Sequence, residues 1–240
     1  MVMNQMFQFI KQMSGKMYGN DMDSLDPRKI AYVRNLQREL KKRDVLNIPF
    51  EQLQVVVFDI ETTGFYPYNG DRMLSIGAVK VHGHEIREDD LFYKTIYSDQ
   101  ALSDEIQSLT GITYEELQRA KPLDEVLKQF FQFVKSDTLV AHHSSHEKQF
   151  MKYASWTALK TNFQHRIIDT NFLTRVTAPD IHYVSLDEWC DYYGVEIGRR
   201  HHALYDAVAT AKIWAKGIKQ VQQMGYTNLK EIYTHIASLP

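Results

Sequence analysis

The chain has 240 residues, 44% hydrophobic and 24% charged, with a formal net charge of −2; this globular composition excludes a mainly disordered or low-complexity protein. Cys190 is its only cysteine, which excludes intrachain disulfides and cysteine-based zinc sites and suits a reducing cytoplasm. No apolar run approaches the ~20 residues that cross a bilayer, so no membrane partner is expected, and the start MVMNQMFQFIKQ lacks the basic region and cleavage site of a signal peptide.

Charge is unevenly placed. Residues 1–50 hold nine of the 28 Lys/Arg and five of the 30 Asp/Glu, which makes this segment +4 and leaves residues 51–240 at −6. A near-neutral chain does not bind nucleic acid by bulk positive charge. Within the first segment Met3, Met6, Ile10, Met13 and Met17 recur at helical spacing, as on a short amphipathic helix that packs on the protein's own body or docks a partner. Asp26-Pro27 opens a second predicted helix with Ile30, Val33 and Leu40 on one side and Arg34, Arg38, Lys41, Lys42 and Arg43 on the other. Residues 1–50 are therefore expected to be a helical N-terminal extension, and residues 51–240 the main domain.

From residue 53 the period changes. LQVVVFDI is short, continuous and β-branched, as in a buried central strand. MLSIGAVKVHG and EIREDDLFYKTIY follow as a hairpin around Gly83. The pattern turns helical through YEELQRA and PLDEVLKQFFQFV, and short strands are predicted at TLVAHH and RIIDT before a final helix, ALYDAVATAKIWAKGIKQV. Strands first and then alternation with helices predicts an α/β fold with a mixed sheet and helices on its faces.

Asp59 and Glu61 lie two residues apart and therefore on one side of the first strand's pleat. Asp-x-Glu by itself is a chance spacing; its context is what carries weight. An unpaired carboxylate beside a core strand costs several kcal/mol unless hydrogen bonds or a cation neutralise it, and VVVFDIETTG contains no basic residue. The pair either caps a turn or holds a metal, and oxygen ligands favour Mg²⁺ or Mn²⁺ over zinc. Asp206 is a third acid in an apolar helical stretch and should face inward. His201 precedes it by five residues, about 140° away on a continuous helix, so the two converge only if His201 belongs to the loop leading in. A histidine there is either structural or a general base. The histidines of AHHSSHEKQF do not form a zinc motif, because Phe150 stands where HExxH needs its second ligand.

Together these segments resemble the DEDDh exonucleases, relatives of the proofreading epsilon subunit of bacterial DNA polymerase III and of ribonuclease T. FDIETTG is similar to the family's first motif, VAHHSSHEKQFM to its second and HHALYDAVATA to its third, with support from Thr110-Gly111-Ile112-Thr113, Ile168-Asp169-Thr170 and Ser185-Leu186; the likeness covers residues 53–219. The second motif departs from the usual His-Asn-x-x-Phe-Asp: His143 replaces the Asn, His146 the Phe and Glu147 the Asp. The resemblance implies an RNase H-like five-stranded mixed sheet in which Asp59, Glu61, Glu147 and Asp206 bind two divalent cations, Mg²⁺ or Mn²⁺, at the 3′ end of DNA or RNA. It further implies His201 as the base that takes the water's proton, Thr62, Thr63 and Gly64 as contacts to the terminal nucleotide, and Phe65 as a residue that stacks on a base or simply packs. The expected activity is 3′-to-5′ release of nucleoside 5′-monophosphates. The alternative is a nucleic-acid or polymerase-associated binding module whose site Glu147 weakens, with residues 1–50 as a docking element for a polymerase or another protein.

Overall fold

The computed structural model describes residues 44–239; the two helices expected within residues 3–17 and 26–43 lie outside the described residues. Five strands form one sheet in the order β3-β2-β1-β4-β5, where β1 is Gln54–Thr62, β2 Met73–His82, β3 Glu85–Thr95, β4 Thr138–Ala141 and β5 Ile167–Asp169. β1 to β3 are an antiparallel meander, while β4 runs parallel to β1 and β5 parallel to β4. This is the mixed, RNase H-like sheet that the sequence pattern and the family resemblance predict.

Between β3 and β4 lie α1 (Asp104–Thr110), α2 (Tyr114–Arg119) and α3 (Leu123–Val134); α4 (Ser145–Leu159) joins β4 to β5. After β5 come α5 (Asn171–Thr177), α6 (Leu186–Tyr193), α7 (Ala203–Gln223) and α8 (Leu229–Ser238). The helix expected to be the last is thus followed by another, which opens on an Asn228 side chain that accepts from the Glu231 amide. α1 was likewise not expected from periodicity, since its few apolar residues make no clear stripe; its Ser103 cap and Gly111, at φ 67°, mark its two ends.

The period of two along β1 decides what lies on each face. Val55 and Val57 pack in one cluster with Val79, Val81 and, from α7, Ala211, Trp214, Ile218 and Val221. On the opposite face Phe58 meets Phe130 of α3 at 5.7 Å between ring centroids, and Phe92 meets the same ring at 5.6 Å. Asp59 and Glu61 continue the odd-numbered, α7-facing row. β1 extends past its apolar run to Thr62, with an irregularity of register between Glu61 and Thr62. Both acids therefore belong to the strand itself and not to a turn after it. Phe50, Leu229 and Ile232 close the far end of the same core, with Val45, Leu46 and Ile48 packed against it. Among the described residues no helix is long and apolar enough to cross a membrane.

Candidate active site

One glycine lets the third acid reach the first two. Gly77 is the β2 partner of Asp59, and a Cβ built on it would lie 2.2 Å from the Ala203 carbonyl carbon and the Leu204 amide nitrogen. The first turn of α7 thus rests directly on the sheet backbone. Asp206, in that turn and 4% exposed, projects toward the acids of β1, and one carboxylate oxygen from each of Asp59, Glu61 and Asp206 can be chosen so that all lie within 4.8 Å of one another.

Glu147 approaches from the second crossover. α4 begins at the carboxyl end of β4, the region where parallel strands usually build their sites, and Glu147 in its first turn is 4% exposed. Its Oε2 has no hydrogen-bond partner among the described residues. The connection is fastened by Asp169 of β5, whose Oδ2 accepts from the Ser144 amide at 2.6 Å and whose Oδ1 accepts from the Asn171 amide at 3.0 Å. His142 and His143 both contact the Val184 carbonyl. Burial depresses the His142 pKa to about 4; the neutral ring donates from Nε2 to Val184 and accepts at Nδ1 from the Thr170 hydroxyl, 2.7 Å away.

Two departures in the second motif have local reasons. His143 adopts φ 54°, a left-handed backbone in which Asn, Asp and His are the enriched residues. His146 is flat and takes an aromatic's place: its ring lies 4.8 Å from Phe150 and 5.6 Å from Phe65, and burial lowers its pKa so that it stays neutral.

Asp59 is the acid that feels the other three, while Glu147 stands outside the group of oxygens within 4.8 Å. Burial first, then the charges of Glu147, Glu61 and Asp206, hold the Asp59 carboxyl well above its ordinary range. Glu61 rises to about 8 through burial and then repulsion by Asp206. Glu147 also rises to about 8, burial outweighing a hydrogen bond from its own amide, and burial raises Asp206 against the lowering pull of Arg200.

Arg200 is the functional candidate that sequence reasoning passed over. Its Nε donates to Asp187 of α6 at 2.7 Å and its Nη1 to Asp206 Oδ2. The His201 amide donates to the same Oδ2 at 3.1 Å, while Asp206 Oδ1 is buried without a partner. His201 sits in the loop before α7 with φ 56°, the same left-handed region that His143 occupies. The two arginines beside it were the available signal, since an acid buried on an apolar helix needs a counter-charge.

The nucleotide-contact candidates form the turn after β1. Asp71 organises it, accepting from the Tyr66 amide at 2.9 Å and the Thr63 hydroxyl at 3.3 Å. A Cβ on Gly64 would come within 2.5 Å of that carboxylate, which explains the glycine. Thr62 Oγ1 donates to the Gly64 carbonyl at 2.7 Å, and Phe65 is 73% exposed. Cys190 is buried, and that burial pushes its thiol up to about 11, which leaves it inert.

A sheet of this order, with acids gathered at the carboxyl ends of β1 and β4, is the framework of an RNase H-like nuclease. The chain belongs to the RNase_T exonuclease family, whose model matches residues 56–214. The PolC-type DNA polymerase III of Caldanaerobacter subterraneus subsp. tengcongensis is 34% identical over 179 residues, covering 75% of this chain and 12% of that polymerase. Its counterpart from Bacillus cereus is 36% identical over 171 residues, 71% of this chain and 12% of the relative, so the chain matches only a small part of these polymerases. Among solved structures, the nuclease domain of 3′hExo, a DEDDh family member, bound to rAMP, superposes with a TM-score of 0.59 at 21% identity, covering 73% of this chain and 96% of that one. Exonuclease X in complex with 5′ overhanging duplex DNA gives 0.56 at 20% identity, with 75% and 99% covered. These two likenesses establish the shared fold.

Proposed function

We propose that this chain is a metal-dependent 3′-to-5′ exonuclease acting on single-stranded 3′ ends of DNA or RNA and releasing nucleoside 5′-monophosphates. The observation that carries this reading is the convergence of Asp59, Glu61 and Asp206 with buried, unpartnered oxygens on Glu147 and Asp206. Hard oxygen donors in this density fit divalent Mg²⁺ or Mn²⁺, and two such ions match four carboxylates. When bound, the ions supply electrophilic stabilisation of the charge that develops on the phosphate and lower the pKa of the attacking water. His201 accepts that water's proton through a ring nitrogen. Thr62, Thr63 and Gly64 hold the terminal nucleotide, and Phe65 stacks against its base. Arg200, braced by Asp187, holds Asp206 through Oδ2, and the unpartnered Oδ1 would be the oxygen that holds a metal.

Arg200→Gln is expected to weaken Mn²⁺ binding about 10- to 100-fold, the usual cost of losing a partner that orients a ligand, as read by titration calorimetry. Tighter binding would mean that Arg200 competes with the metal instead.

The second reading, a binding module with a weakened site, turns on Glu147. Its unpartnered Oε2 and its repulsion of Asp59 support a longer side chain that still aims into the site. Glu147→Asp retracts the carboxylate by about an ångström and is expected to lower turnover about 100-fold. Labelled single-stranded DNA, single-stranded RNA and mismatched duplex, tested with Mg²⁺ and Mn²⁺, provide the assay and read the substrate preference together. Higher activity in Glu147→Asp would favour the second reading.

The +4 segment at residues 1–50 and the polymerase relatives support a further element of the proposal, that the part of it before the core-packed residues Val45 to Phe50 docks a polymerase or another protein in the cytoplasm. Deleting residues 1–43 is then expected to abolish co-purification of that partner while hydrolysis of short substrates persists; loss of both would identify the segment as part of the fold.

A further inference from the structure

The outward face of α4 differs from the rest of its domain. Residues 51–240 are net −6, yet α4 and its C-cap expose Lys148, Lys152 and Lys160, while the helix's single acid, Glu147, is buried. Among the described residues none of these lysines has an ion-pair partner. Helical spacing places His146, Gln149, Lys152, Tyr153 and Trp156 on the same face.

Aromatic rings interleave with that charge. Trp156 is 49% exposed, and Tyr68, from the turn after β1, is 67% exposed. Tyr68 meets Tyr153 edge-on at 5.2 Å, as Phe65 meets His146 at 5.6 Å. The turn is pinned by Asp71, so its rings are held outward on a fixed support. From His146, next to the acid Glu147, to Trp156 the face runs about 15 Å along the helix. It leads away from the carboxylate cluster.

Positive groups that can follow a backbone, alternating with rings that can accept bases, are the means by which proteins hold single strands without reading their sequence. We propose that this face is the track for the single-stranded nucleic acid on the 5′ side of the nucleotide being removed. Tyr68, Tyr153 and Trp156 stack on successive bases, and Lys148, Lys152 and Lys160 accompany the phosphates. The inference rests on the exonuclease reading and adds the path of the strand to it.

The test compares an oligothymidylate dodecamer with the dinucleotide, using the full chain. Tyr68→Ala and Trp156→Ala are each expected to raise the dodecamer's KM about 10-fold and so narrow its advantage over the dinucleotide, with kcat at saturation much less affected. Trp156→Phe should recover most of the loss. Lys148→Ala and Lys152→Ala should each lower the slope of log KM against log salt by about 0.7. Thermal melting of every variant checks that the fold persists. Dodecamer KM values and salt slopes equal to wild type would overturn the track while leaving the exonuclease reading intact. If wild type hydrolyses neither substrate, fluorescence anisotropy of the labelled dodecamer in EDTA tests the track alone: weaker binding by the variants supports it, and equal affinity overturns it.

Discussion

Asp59→Asn is expected to abolish nucleotide release, by at least about 10³-fold, and at the same time to stabilise the protein when divalent ions are removed. The two effects share one cause. Without a cation, Asp59 is held in its ionised form only against burial and the charges of three other acids. Removing that charge relieves about 1–3 kcal/mol, which in a domain of this size raises Tm by roughly 2–4 °C per kcal/mol. The pH dependence carries the same sign. Glu61 and Glu147 titrate near 8 in the folded protein against an ordinary 4.5. A raised folded pKa means the stabilisation is fully present below about 4.5 and is lost as pH rises through about 8. Tm in EDTA should therefore fall across this window, and the fall should be shallower in Asp59→Asn and largely cancelled by Mg²⁺ or Mn²⁺. A flat profile in EDTA would contradict the burial that raises Glu61 and Glu147.

Gly77→Ala is the second large effect expected. The added methyl meets backbone atoms of Ala203 and Leu204 at 2.2 Å, and backbone cannot rotate aside as a side chain can. Overpacking of this kind costs about 1–3 kcal/mol, and the first turn of α7 must lift from β2. Asp206 moves with it. A displacement of about 1 Å at a catalytic group is worth about 100-fold in rate, so the variant should fold with a lowered Tm and lose both metal affinity and turnover. Unchanged metal affinity in Gly77→Ala would show that α7 can shift without moving Asp206.

Much of this was legible in the amino-acid sequence because the signals are local. The apolar run of β1, the Gly83 hairpin and the short strands before α4 and α5 predict the sheet, since period and turn chemistry act over a few residues. The common side of Asp59 and Glu61 follows from the pleat alone, and the resemblance to DEDDh exonucleases supplied Glu147. What depended on long-range packing was hidden. Gly77 looks like an ordinary strand residue until α7 is seen resting on it. Arg200 reads as part of a basic loop until Asp187 and Asp206 are found on either side. His146 and His143 look like losses from the family pattern, whereas the ring contacts of one and the left-handed backbone of the other show that each fits its place. α1, with few apolar residues, and α4 and α5 were not named as helices, although Ser103 caps α1 in plain view; α8 was legible and passed over, since Leu229, Ile232 and Ile236 recur at helical spacing behind an Asn228 cap.

The four acids are proposed to serve hydrolysis at a 3′ end. The most direct measurement follows release from single-stranded oligonucleotides labelled at either the 3′ or the 5′ terminus, with Mg²⁺ or Mn²⁺, for wild type and Asp59→Asn. Labelled mononucleotide from the 3′-labelled strand from the earliest times and progressive shortening of the 5′-labelled strand are expected, with neither in the variant. No release from either strand, release beginning at the 5′ terminus, or equal release by Asp59→Asn would contradict this role.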